Sequence, residues 1–335
     1  MRAIAWPFDV LRVLALRVGG RPGQRLLRDR DLRVAALATA GIVVSMSLAL
    51  IVPAAAFALG PLVLGVPHLL ADVRYLVVRP GLQKRWPLVL LVFVPLAFVW
   101  LHPWARVGLL PVLGAVLAAR AAPLKKVIAL GCFFAVYALA WRFPVASTYV
   151  ILHLHNVVAV ALYAWLFART GRNAWLTVLL FAMGSGAILL GACDSLLFRP
   201  GAWITFSSGA SLNEMAWQLA PFQGAKSAQL ALRFTAFFVF AQSVHYVVWL
   251  RLIPDDARER PGLRSFASSF RALEAEVGKW LLRGAVARSL IFLVFGAVHL
   301  DRARLSYLSM ASFHGYLEFA IAALLILEGK GQTRA

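Results

Sequence analysis

Apolar residues fall in long runs along this chain, many of about twenty residues, separated by short stretches rich in arginine, lysine and proline. Runs of that length, without a two-residue alternation, predict helices that cross a bilayer and argue against a β-barrel. The expected spans are Val34–Leu59, Pro61–Val78, Leu88–Leu101, Val107–Ala119, Val127–Trp141, Val145–Phe167, Ala174–Ala192, Phe234–Leu250, Val286–His299 and Tyr307–Leu327. Val107–Ala119 is short and contains Pro111, so a broken or re-entrant unit with Val127–Trp141 is the alternative there.

The polar stretches complete the outline. Residues 1–33 carry scattered arginines with Trp6, Val10 and Leu14 among them. They predict a basic amphipathic segment lying on the membrane, not a cleaved signal. Residues 34–335 then form one transmembrane helical domain. Within it, 194–233 is an outer-side loop in which Ser211 and Glu214 have capping-box spacing ahead of Met215–Leu219, predicting a short helix ended by Pro221. In 251–283, Leu263, Phe266, Phe270, Leu273, Val277 and Trp280 recur every three or four residues. That spacing predicts a cytoplasmic amphipathic helix with its arginines toward anionic lipid headgroups.

Composition changes this picture in one respect. The chain is 61% hydrophobic and its formal net charge is +20, a balance that by charge alone suggests a nucleic-acid partner. Roughly twenty-five of the Lys and Arg residues lie in alternate connections and about seven in the others, which the positive-inside rule explains without nucleic acid. The expectation is an all-α, polytopic integral membrane bundle of about ten helices with both termini cytoplasmic, in a bacterial inner membrane. Cys132 and Cys193 show no C-x-x-C spacing, so neither a disulfide framework nor a zinc knuckle is indicated.

Ionisable side chains inside such runs are costly and mark sites. His68 and Asp72, four residues apart, share a helix face, as do His314 and Glu318. His153, His155 and His245 lie in two further runs, the last preceded by Gln242. Under the expected topology the four histidine-bearing segments run in one direction, and at 1.5 Å per residue their histidines fall at overlapping depths. His153 and His155 are about 200° apart on a helix, so one of them is expected to be structural, with Asn156 as a nearby partner. Neutral imidazoles that converge in a dry bundle suit iron or another transition metal, with Asp72, Glu318, Asn156 and Gln242 as outer acceptors or alternative ligands. Phe134, Tyr149, Phe238 and Tyr246 are candidates to line a channel for a long substrate.

Gly65-Val-Pro67-His68-Leu-Leu-Ala-Asp72 resembles the G-x-P-H-x-x-x-D signature of the bacterial Brp/Blh-type carotenoid (β-carotene) dioxygenase family, and Gln242-Ser243-Val-His245-Tyr246 sits where that family also places histidine. The likeness covers about thirty residues. It departs at Leu69, where the family usually has glycine, and at Trp249, where it tends to have a second histidine. It implies Fe(2+) held by His68 and His245, and O₂-dependent cleavage of a lipophilic substrate such as a carotenoid. Two other classes compete: a proton- or ion-coupled transporter using a His/Asp/Glu relay, and a haem-binding membrane protein.

Overall fold

The computed structural model describes residues 2–102, 104–199, 228–259, 262 and 264–329. Among them every regular element is helical. Eight helices are long and apolar enough to cross a membrane: Arg30–Ile51, Pro53–Val78, Pro123–Arg142, Pro144–Phe167, Gly171–Leu189, Gln229–Asp256, Lys279–Val298 and Arg302–Glu328. Two shorter apolar helices, Trp86–Leu101 and Ala105–Ala118, lie between the second and third. The ten apolar segments thus exist, eight of them at full length. The helix Ala105–Ala118 packs on Trp86–Leu101 and on the last helix as well as on Pro123–Arg142. At Gly114 the contact is so close that a Cβ would lie 1.8 Å from the Leu91 carbonyl oxygen.

Several boundaries differ from expectation. The first break falls at Val52–Pro53, not at Gly60–Pro61. Val52 leaves helical geometry at φ −137° and ψ 52°, and Pro53 opens the next helix at its first turn. Both prolines were eligible, because a residue before proline avoids α geometry and proline suits a helix start. Pro61 and Pro67 instead lie inside the second helix, as membrane helices allow when neighbours cover the freed carbonyls. Three π-helical tracts, Val73–Val78, Val89–Phe93 and Val248–Leu252, are each followed two residues later by Pro80, Pro95 or Pro254. A proline ring collides with the carbonyl four residues back, and a widened turn moves that carbonyl aside.

The Gln229–Asp256 helix also runs a turn and a half beyond its expected end, and the amphipathic helix is confined to Phe266–Val277, started by Ser265 accepting from Ser268 N. Trp280 belongs to the next spanning helix and is exposed. Residues 2–28 form two surface helices, Arg2–Val18 and Gly20–Arg28. The first docks on Phe266–Val277, where Asp9 accepts from Phe266 N and Arg12 lies over the Phe266 ring. Residues 194–197 form a helical turn whose Leu197 is buried in the core; the expected Ser211–Pro221 helix lies outside the described residues.

Burial separates the helices into an inner and an outer set. Gln229–Asp256 is the most enclosed, with 78% of its apolar window buried, whereas Pro123–Arg142 and Lys279–Val298 are 11% buried and present their apolar faces outward. Phe134 is on that outer surface, which removes it from any internal channel. Gly184 marks a close helix contact, its Cβ position lying 2.6 Å from the Phe240 ring.

The connections expected on one side do meet at one end of the bundle. Arg33 forms a bidentate pair with Asp255, Arg85 with Glu328, and Arg169 donates to the Asp256 and Arg258 carbonyls. Arg74 and Arg79 both clamp Glu276. Near the other end Arg199 donates to the Ile51 carbonyl and Arg233 pairs with Asp194. We call the first end the basic face.

Candidate metal centre

Four helices of the inner set each bring one imidazole to a common point: His68 from Pro53–Val78, His155 from Pro144–Phe167, His245 from Gln229–Asp256 and His314 from Arg302–Glu328. These helices run in the same direction. Trp249, four residues after His245, reaches Glu318, four residues after His314. Likewise Tyr163, eight residues past His155, donates to Asp256, eleven past His245. The shared depth expected from helical rise is therefore what the packing delivers.

The rings form two triangles with a common edge. His68 lies 5.2 Å from His245 and 4.9 Å from His314, centroid to centroid; His155 lies 5.2 Å from His245 and 5.1 Å from His314; the shared edge is 5.8 Å. A metal–nitrogen bond of about 2.1 Å puts each ring centroid about 3.2 Å from the ion, so ligating rings stand about 4.6 Å apart at right angles and about 5.3 Å apart in a tetrahedron. The measured separations bracket the second value. Ligand atoms of His68, Asp72, His245 and His314 lie within 4.8 Å of one another. Atoms on one ion are at most about 4.2 Å apart, so a shift of roughly half an ångström closes that set of four, with the His155 ring beside His245 and His314 but outside the 4.8 Å group.

Two carboxylates lie beside the imidazoles. Asp72 Oδ2 is 4.0 Å from His68 Nε2 and Glu318 Oε1 is 3.7 Å from His245 Nε2, both beyond hydrogen-bond length. Trp249 Nε1 donates to Glu318 Oε1 at 2.9 Å, which fixes that side chain. His314 Nδ1 meets the Ala311 carbonyl within its own helix. Both ring nitrogens of His68 and of His245, both Asp72 oxygens and Glu318 Oε2 are buried with no hydrogen-bond partner among the described residues. Seven orphaned polar atoms in one place are costly in a dry interior. A divalent cation answers several of them together, since it takes one lone pair from each imidazole and balances two carboxylates. The donor set fits such an ion.

The other residues singled out from sequence fall elsewhere. His153 points away from the centre and packs among Phe234, Phe237 and Phe238, stacked on Phe237 at 5.6 Å. The helix is regular here, so two residues of offset put His153 and His155 on opposed faces. Asn156 is buried and its amide donates to the Leu152 carbonyl one turn back. Gln242 is buried nearly one turn before His245.

Trp249, Tyr246 and Tyr307 are all buried at the centre's edge; Tyr246 was a candidate lining residue and Trp249 a noted departure from the family motif, whereas Tyr307 was not foreseen. Tyr246 lies 4.8 Å from the His68 ring, and the Tyr246 and Tyr307 phenols sit near one another and near Asp72. Gly65 is what admits Tyr307: a Cβ there would lie 2.3–2.5 Å from its ring atoms. Gly315 similarly lets His155 approach, with its Cβ position 3.3 Å from the imidazole. The glycines before His68 and after His314 were the available signal. Set beside known proteins, the chain matches no family model, no curated protein and no solved structure.

Proposed function

We propose that His68, His155, His245 and His314 bind one divalent transition-metal ion, iron foremost, and that the protein is a membrane-embedded oxygenase of a lipophilic substrate. The observation that carries this reading is the convergence of four imidazoles from four separate helices at ligating separations, beside two buried carboxylates with orphaned oxygens. When bound, such an ion supplies the redox chemistry with O₂ that no amino-acid side chain provides. The chain's own residues then have separable roles. The imidazoles hold and centre the ion. Asp72 and Glu318, beside His68 and His245, balance its charge, and Trp249 keeps Glu318 in place. Packed helices around them exclude water, and Tyr246 and Tyr307 supply hydroxyls at the edge toward Asp72.

The resemblance of the Gly65–Asp72 motif to the Brp/Blh-type carotenoid dioxygenases points the same way and makes carotenoid cleavage a specific form of this proposal. A haem fits less well. Its macrocycle would have to pass between two axial imidazoles through the space that the other two rings fill. The charge bias of its connections supports a cytoplasmic orientation of the basic face.

Elemental analysis of the purified protein tests the reading. The expected result is one iron or related ion per chain in wild type and His153→Ala, falling at least tenfold in His68→Ala, His155→Ala and His314→Ala. A wild-type protein that folds and retains no stoichiometric metal after loading with ferrous ion overturns it in favour of a proton-relay carrier.

A further inference from the structure

The basic face holds more guanidinium groups than its own ion pairs consume. Arg12, Arg74, Arg79, Arg251, Arg258 and Arg264 line a cavity of about 220 Å³ in which Asp255 is the sole acidic lining residue described. Most acids that reach these arginines are already engaged, Asp9 with Arg12, Glu276 with both Arg74 and Arg79, and Asp255 itself shared by Arg33 and Arg258, while Glu259 adds a negative charge near Arg79. No carboxylate pairs with Arg251 or Arg264 among the described residues. Arg258 Nε is buried without an acceptor. Burial, and then the guanidinium groups of Arg33, Arg30 and Arg264, push Arg258 down to about 10. An anion relieves such crowding, and guanidinium forks bind phosphate and carboxylate well.

A second cavity of about 530 Å³ shares the wall made by Arg74, Tyr75, Leu250, Pro254, Phe266 and Ser269. Away from that wall its lining is apolar, including Val66, Leu70, Leu273 and Val286, and it is bounded by Trp249. Trp249 is the side chain that holds Glu318 beside His245. Arg74 is six residues past His68, about 9 Å along the helix. The charged pocket and the apolar cavity therefore adjoin along one wall, and Trp249 links the apolar cavity to Glu318 beside His245. Either cavity alone would be unremarkable; their adjacency is what selects a ligand.

We propose that the two cavities form one site for an amphiphile with a single apolar chain and an anionic head, phosphate or carboxylate, the head lying among Arg251, Arg258 and Arg264 and the chain running to Trp249. As the substrate class of the histidine centre, this ligand rests on the metal-oxygenase reading and takes the place of a carotene, which has no anionic head; as a binding site it stands without that reading.

The test uses the full chain in neutral detergent, with ligand retention followed by native mass spectrometry and metal content measured on the same samples. The probes are an 18-carbon lysophosphatidic acid, the lysophosphatidylcholine of the same chain, and inorganic phosphate. Lysophosphatidic acid is expected to bind at least tenfold more tightly than either other probe. R251Q/R264Q should bring it down to the lysophosphatidylcholine level. Ala285→Trp, which fills the apolar cavity, should weaken both lipids at least tenfold and leave phosphate unchanged. Equal binding of the two lipids, or phosphate binding as tightly as lysophosphatidic acid, overturns the proposal, the latter in favour of a free-anion site. Lost lipid selectivity with metal retained counts against this site alone. Selective lipid binding by a metal-free protein counts against the oxygenase alone.

Discussion

At the basic face Arg33 grips Asp255 with two hydrogen bonds and Glu276 receives both Arg74 and Arg79, so most buried charge there meets an opposite charge within the chain. Higher up the same helices, around His68, His155, His245 and His314, imidazole nitrogens and carboxylate oxygens sit within a few ångströms of each other and mostly fail to bond. Both regions bury ionisable groups where water is scarce. The first has its partners written into the sequence and closes on folding. The second leaves imidazole nitrogens and carboxylate oxygens close together and largely unpartnered among the described residues, the pattern expected of a ligand set rather than of a salt-bridge network.

The strongest way to break that contrast is to remove the centre. Chelation of the metal-loaded protein should lower Tm while leaving the Arg33–Asp255 contacts intact. An ion at a thousand times its Kd stabilises by about 4 kcal/mol. His314→Ala should abolish the chelator effect, and differential scanning fluorimetry with and without chelator reads both. If His314→Ala and wild type respond alike, the contrast fails.

Next in size are two glycines. Gly114→Ala places a Cβ against the Leu91 carbonyl, backbone that has no rotamer to yield, and should cost near the top of the ~1–3 kcal/mol range for overpacking. Gly65→Ala meets the Tyr307 ring, which can swing, so a smaller loss of Tm is expected together with weaker metal retention. Thermal melts with metal content separate them: loss of metal from Gly114→Ala but not from Gly65→Ala would reverse the assignment.

Trp249→Phe removes one donor to Glu318 and keeps the ring volume near its place. A stability loss of about 1 kcal/mol is expected, with metal affinity down about tenfold, the range for outer partners of metal ligands. Competition with a metal-binding dye measures the second figure, and an unchanged affinity would show that Glu318 does not act on His245.

The smallest effect belongs to the basic face. Burial disfavours the charged Glu276 carboxylate, but hydrogen bonds from Arg74 and Arg79 outweigh it and hold the group down at about 2. With an unfolded value of about 4.3, its contribution is complete above about pH 5 and is lost as pH falls toward 2. The Phe266–Val277 helix should therefore exchange amide hydrogens faster at pH 3 than at pH 6 after correction for intrinsic rates, and Glu276→Gln should show fast exchange at both. Solvent exposure of this site keeps the change modest.

Much of the architecture was legible because bilayer thickness imposes a length on apolar runs that no other constraint mimics. Ten segments could be read from hydropathy, and the connections grouped on one side by their arginines do meet at one face. Exact breaks were not legible where prolines compete: Pro53 and Pro61 carry the same local signal, and packing chose the first. The centre was half legible. Parallel direction and common depth follow from counting residues, so His68, His245 and His314 could be brought together on paper. Counting cannot rotate a helix, and which of His153 and His155 turns inward depends on the neighbours each face meets. Trp249 and Tyr307 look like ordinary apolar residues of their runs, and only their contacts give them a role.

By itself the sequence determined that this chain forms membrane-length helices, which side its basic connections share, and that histidines lie at similar depth on helices of one direction. Those properties are set by residues near in sequence, through hydrophobic length and helical rise. Tertiary structure alone decided which imidazole faces which, that Asp72 and one oxygen of Glu318 are left without hydrogen-bond partners among the described residues, and that an arginine pocket adjoins an apolar cavity bounded by Trp249. Each of those depends on how helices distant in the chain rotate and press together, and close packing between side chains settles it rather than any local preference.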